Sequence, residues 1–185
     1  RCLIDAPKDM DPNHIALTEP AATVIHAVNI AVKESYLPIQ ECQVLVIGAG
    51  AIGLLTALLL KSYGVKMQVL ETNLARHPCV KEHVGIDAIN PMTQTLNNNN
   101  FDIVIDCVGS EKTSSLSFET VKTGGVIINV GLQSWTSSIN IRKLTLEEIK
   151  LIGCYTYSME DFKSALKTIE SGKFGNLSWI KELPL

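Results

Sequence analysis

The chain has 185 residues, 46% of them hydrophobic and 19% charged, which is enough for one sizeable core and the composition of a globular domain rather than a disordered one. A net charge of −3 gives its surface no pull toward nucleic acid or anionic lipid, and the longest apolar stretch, broken by Gly53 and Thr56, is too short to span a bilayer. No charged-then-apolar leader opens the chain, and five scattered cysteines with no C-x-x-C pair predict reduced thiols in a cytoplasmic protein rather than a disulfide framework or a zinc knot.

Residues 1–17, with Pro7, Pro12 and Asn13, read as an irregular lead-in, and the dinucleotide-binding domain is expected over residues 18–185. Pro20 suits a first helical turn, and the unbroken apolar run over 21–32 predicts a helix ahead of the first strand. Residues 43–47, Gln-Val-Leu-Val-Ile, are a short β-branched run ending at glycine, the pattern of a strand buried on both faces. A helix follows over 51–63, apolar nearly all round and stopped by Gly64. Residues 66–70 predict a second strand, and Pro78 marks the first turn of a short helix over 78–83.

The polar run 97–100 cannot fill a core and predicts a mobile surface loop. Further strands are expected at 101–106, 125–130 and 149–154. The clearest helix is 158–171: Ser158 can cap it with Asp161 at the third position, Phe162, Ala165, Leu166 and Ile169 form one stripe, and Gly172 ends it. Strands alternating with helices predict an α/β fold, a Rossmann-type doubly wound parallel sheet of about six strands in the order 3-2-1-4-5-6, built as a single domain.

Gly48-Ala49-Gly50-Ala51-Ile52-Gly53 is G-x-G-x-x-G. Alone the pattern is weak, but here it follows a predicted strand and opens a predicted helix, which is the context a dinucleotide site requires. Gly48 permits the tight turn, Gly50 lets a pyrophosphate approach the backbone, and Gly53 brings helix and strand together. The first free N–H groups of the helix, at Ala51 and Ile52, then face the phosphates. Glu71, with Thr72 beside it, ends the second strand about 20 residues on, where a carboxylate accepts from the adenosine ribose and repels a 2′-phosphate. A solvated strand end is the other reading of Glu71, and Arg76 nearby offers a 2′-phosphate a partner; the balance predicts NAD over NADP. The ends of later strands, Cys107-Val108 and Val130-Gly131-Leu132, should line the same crevice. For Cys107 a buried inert thiol is an equal alternative to cofactor contact.

The run Val44-Leu45-Val46-Ile47-Gly48-Ala49-Gly50-Ala51-Ile52-Gly53-Leu54 resembles the cofactor loop of the zinc-dependent medium-chain dehydrogenases. Arg76, Lys81-Glu82, Gly85, Asp87 and Ile89-Asn90 continue that resemblance, as do Asp106-Cys107-Val108-Gly109, Gly124-Gly125, Val130-Gly131, Glu148-Ile149, Ile152-Gly153 and Leu183-Pro184-Leu185. Glu19-Pro20 with His26-Ala27-Val28 is similar to the sorbitol, threonine and butanediol dehydrogenase branch. Ala51 stands where many relatives carry proline.

The resemblance implies hydride transfer between a secondary alcohol or polyol and NAD, with zinc polarising the oxygen in the full-length enzyme. It implies that Glu19 lies at the metal; read physically, Glu19 is an acid in a helix's first turn, which the macrodipole favours. It also implies that the catalytic domain and its zinc ligands are missing, so this chain is expected to bind cofactor without turnover and without zinc. A homodimer is expected through Ser137-Ser138-Ile139-Asn140-Ile141, which resembles the family's edge strand; a solvent-facing hairpin arm is the alternative. Competing readings are a zinc-free NADPH-dependent quinone or enoyl reductase, a nucleotide-sensing module without chemistry and, last, a methyltransferase. Glu19-Pro20 and Glu71 speak against the first of these.

Overall fold

Aliphatic runs that leave no face for water set the centre of the molecule. A computed structural model describes residues 3–96 and 98–181; Leu183, Pro184 and Leu185 lie outside the described residues. Five parallel strands, β1 (Gln43–Ile47), β2 (Lys66–Leu70), β3 (Phe101–Asp106), β4 (Val121–Asn129) and β5 (Lys150–Gly153), form one sheet in the order β2-β1-β3-β4-β5. The helices are α1 (Pro12–Ala16), α2 (Thr18–Glu34), α3 (Ala51–Ser62), the single turn α4 (His77–Cys79) running into a π-helical turn Val80–Val84, α5 (Glu111–Thr120), α6 (Ile141–Leu146) and α7 (Met159–Glu170).

Alternation along the strands divides the core into two layers. Val44, Val46, Ile103 and Ile105 pack under α2, α3 and α7 with Ala21, Ala22, Leu55 and Leu59. Their neighbours Leu45, Ile47, Leu70 and Val104 turn to the opposite face, with Phe101 and Phe118. Helices on both faces of a parallel sheet make the doubly wound Rossmann-type arrangement.

The register aligns the site. Ile47 pairs with Leu70 on one side and with Asp106 on the other, so β1, β2 and β3 end together. The chain leaves each of them into a loop at that same edge.

Three expectations are corrected. The sixth strand, beyond β2, shrinks to one parallel bridge between Leu70 and Ile89, because Asn90 and Pro91 end the extended run and Asn90 opens a turn that accepts from Thr93 and Gln94 N–H. The order 3-2-1-4-5-6 is otherwise kept, with that bridge in the third position. The lead-in also holds an element of its own: Asp11 caps α1, accepting from Asn13 N–H at 2.8 Å, with Pro12 in its first turn. Asp-Pro here starts a helix rather than breaking one. Finally, residues 137–140 form no strand and Ile141 begins α6, which Asn140 caps by accepting from Lys143 N–H. The sheet edge there is β5.

The loop at 98–100 is tied down at the surface. Asn99 and Asn100 N–H donate to the carbonyls of Glu119 and Thr120, and Lys143 Nζ donates to the Asn99 side chain; Asn97 lies outside the described residues.

Candidate dinucleotide site

Each glycine of the loop answers a different constraint. Gly48 has φ +93°, a left-handed conformation that side chains resist. A Cβ on Gly53 would lie 1.9 Å from the Gly48 carbonyl oxygen, so no other residue fits where α3 crosses the end of β1. Gly50 differs. It has ordinary extended backbone, and a Cβ there would meet nothing nearer than Arg76 Nη1 at 3.9 Å. Nothing in the fold requires its side chain to be absent, so the bareness at this point serves whatever approaches from the cleft.

What approaches meets an uncapped helix. Gly50 is the N-cap of α3 and offers no side chain to the first-turn amides, whereas α5 and α7 both open with complete capping boxes, Ser110–Thr113 and Ser158–Asp161. Free N–H groups with the positive end of the helix dipole behind them suit an anion such as a pyrophosphate. They open on a cleft of about 740 Å³ beyond the ends of β1, β2 and β3.

Of the residues singled out from the sequence, Gly48, Gly50, Glu71, Thr72, Arg76, Cys107 and Val108 line this cleft. Ala51, Ile52 and Gly53 stand behind it in the first turn of α3. Gly131 and Leu132 instead line a neighbouring cavity of about 370 Å³ under residues 134–137, and Val130 borders neither.

Glu71 is 5% exposed, not a solvated strand end. Its Oε2 accepts from Ala49 N–H at 2.9 Å and from Arg76 Nη1 at 3.1 Å, and its Oε1 accepts from Asn73 N–H at 2.7 Å. Burial pushes this carboxyl up, but the Asn73 and Ala49 amides and the Arg76 guanidinium outweigh burial and hold it below the usual range. Cys107 turns its sulfur toward Thr56 Oγ1 at 4.0 Å, and burial pushes the thiol up to about 12. The thiol is half-buried and still borders the cleft, so packing against the core and contact with a ligand are both open to it.

Sequence reasoning passed over two parts of the site. The α5 flank contributes Lys112, Thr113, Ser115 and Leu116 to the cleft. Asp106 binds the loops together: it is 1% exposed, its Oδ1 accepts from Val108 and Gly109 N–H, each at 2.9 Å, and its carbonyl accepts from Val130 and Gly131 N–H. Its one available signal was an acid closing β3 after the apolar run Ile103-Val104-Ile105.

Glu19 sits apart, exposed in the first turn of α2. It lies beside the Tyr157 hydroxyl, which desolvation and that carboxylate push above its ordinary range. Among the described residues no three His, Cys, Asp or Glu side chains gather as metal ligands would. The described residues do not by themselves make up a zinc site. Among those same residues no helix is long and apolar enough to cross a membrane.

Residues 51–171 match the family model described as "Zinc-binding dehydrogenase". Sorbitol dehydrogenase 1 of Saccharomyces cerevisiae is 25% identical over 92% of this chain and 51% of its own length; the chain thus spans about half the length of the curated relatives it matches. Among solved structures, acetophenone reductase from Geotrichum candidum in complex with NAD superposes with a TM-score of 0.83 at 22% identity, over 92% of this chain and 49% of that one. S. aureus TarJ in complex with NADPH does so with a TM-score of 0.82 at 21% identity, over 97% of this chain and 57% of that one.

Proposed function

The chain belongs to the zinc-binding dehydrogenase family, and on that premise we propose that it is the NAD(H)-binding module of an enzyme that moves hydride between a polyol or related secondary alcohol and NAD. The observation that carries this reading is the uncapped N-terminus of α3 behind a bare Gly50, opening on the large cleft. Bound there, the dinucleotide would supply the hydride acceptor; the residues of this chain bind and orient it. The polyol class is supported by relatives such as sorbitol dehydrogenase 1.

NAD is favoured because Arg76, the cation nearest Gly50, is already engaged by Glu71 and a 2′-phosphate would meet a carboxylate instead of a free guanidinium. Glu19 is the side chain this domain would offer to a zinc held by other residues of the enzyme. The working protein is cytoplasmic and dimeric in this reading, and pairs through the face formed by residues 132–146.

Titration with NADH and NADPH, followed by nicotinamide fluorescence, tests the cofactor. NADH should bind more tightly, and Glu71→Ala, which removes the repulsion and frees Arg76, should erase the preference. A folded chain that binds neither dinucleotide would refute the reading.

A further inference from the structure

Two successive N–H groups at the end of β1 donate in the same direction. Gly48 N–H reaches the Leu70 carbonyl at 2.8 Å, and Ala49 N–H reaches Glu71 Oε2 at 2.9 Å. In an extended strand, successive amides point to opposite neighbours. The left-handed turn at Gly48, φ +93°, swings the second amide round to the β2 side. There the backbone ladder has ended, and the side chain of Glu71 takes over.

That carboxylate has little left for a ligand. Two donors occupy Oε2 and one occupies Oε1, so of roughly four lone-pair sites about one is spare. His77 Nε2 also holds the Glu71 carbonyl at 2.8 Å, and Asn73 N–H closes a tight turn on the side chain. The end of β2 is thereby fastened on itself before it reaches across to the glycine loop. Ala49 is itself buried, at 6% exposure, and without the carboxylate its N–H would be an unpaired buried donor.

We infer that Glu71 is a positioning residue: a latch from β2 that holds the glycine loop in its left-handed turn, and so sets the N-terminus of α3 for the pyrophosphate independently of any contact with the ribose. The inference rests on the dinucleotide reading of the cleft and adds a role that a ribose selector does not have. A selector matters only to ligands that carry the ribose hydroxyls. A latch matters to every ligand whose phosphates use the loop.

The test uses ADP and 2′,3′-dideoxy-ADP as probes, titrated by calorimetry in an Arg76→Ala background so that no freed guanidinium reaches the phosphates. Adding Glu71→Ala is expected to weaken both probes alike, by about tenfold, the cost of one buried hydrogen bond to a charged group. Glu71→Gln, whose amide oxygen still accepts from Ala49, should restore most of the affinity for both. Hydrogen exchange at the Ala49 amide should accelerate in Glu71→Ala and slow again in Glu71→Gln.

Loss of ADP affinity with dideoxy-ADP untouched would overturn the latch, as would unchanged protection of the Ala49 amide. If Glu71→Ala does not fold, Glu71→Gln decides: a latch keeps the ratio of the two affinities at its starting value, and a selector shifts it toward dideoxy-ADP. Should the unsubstituted chain bind neither ADP nor NADH, the cofactor reading fails, while the exchange measurement still judges the latch.

Discussion

One motif places three glycines under three separate constraints, and only the residue scale separates them. Gly53 is fixed by the fold, since an added methyl would lie 1.9 Å from the Gly48 carbonyl oxygen. Gly53→Ala is therefore expected to cost about 3 kcal/mol or more, read from the urea midpoint, because backbone rather than a flexible side chain must move. Gly50→Ala makes only an ordinary contact with Arg76 Nη1 at 3.9 Å and should leave that midpoint nearly where it is while weakening NADH at least about tenfold, since the methyl stands in the path of the phosphates. A Gly50→Ala chain that binds NADH normally would show that the cofactor does not cross this loop. The spacing of these glycines was legible because the chain geometry of the turn dictates it locally. The inward turn of Glu71 was not, because it depends on the amide that Gly48 swings round. Asp106 was missed for a related reason: its partners are backbone N–H groups of two loops, and a sequence carries no letter for converging amides.

At the scale of elements, local signals that agree with one another were readable and those that compete were not. Helix α7 had cap, stripe and stop in order. Residues 137–141 resemble the family's edge strand, but the Asn140 cap and the run after it win as a helix. What the α7 signature left unread is its second use. Asp161, the third residue of that capping box, also accepts from Asn29 Nδ2 at 3.0 Å and pairs with His26 Nδ1 at 2.9 Å, joining α7 to α2. Asp161→Ala loses cap and clamp together and should cost about 2–3 kcal/mol, while Asp161→Asn should keep part of it. Burial pushes the Asp161 carboxyl up, but the Ser158, Asn29 and His26 contacts outweigh burial and hold it below the usual range. A carboxyl whose folded value is depressed adds stability that is present above its unfolded value and lost as pH falls through the folded one. Urea midpoints followed from about pH 7 down to about pH 3 should therefore fall less steeply in Asp161→Asn than in the unsubstituted chain. Parallel curves would mean that Asp161 is not ionised in this clamp. Glu71, depressed in the same direction, accounts for part of the slope that remains.

The whole molecule has an asymmetry that neither residues nor elements explain alone. Beyond β2, the sheet edge is partly closed by Ile89, whose N–H donates to the Val69 carbonyl and whose carbonyl accepts from Glu71 N–H. At the other edge β5 pairs, among the described residues, with β4 alone, and the segment before it exposes Leu132, Trp135, Ile139, Ile141 and Leu146. Large apolar side chains gathered at an open sheet edge are a liability that pairing removes. A second copy of the chain is the simplest cover, because one patch can then serve both partners about a twofold axis. Multi-angle light scattering should find a dimer that dissociates on dilution, with Trp135 emission moving to longer wavelength as it does. Ile141→Asp is expected to shift the equilibrium to monomer without loss of fold, since Ile141 opens α6 and an acid is welcome in a helix's first turn. Trp135→Ser should act in the same direction without touching a helix. The argument fails on either of two results: a chain monomeric at every concentration, or a dimer indifferent to both substitutions, which would place the contact on another face.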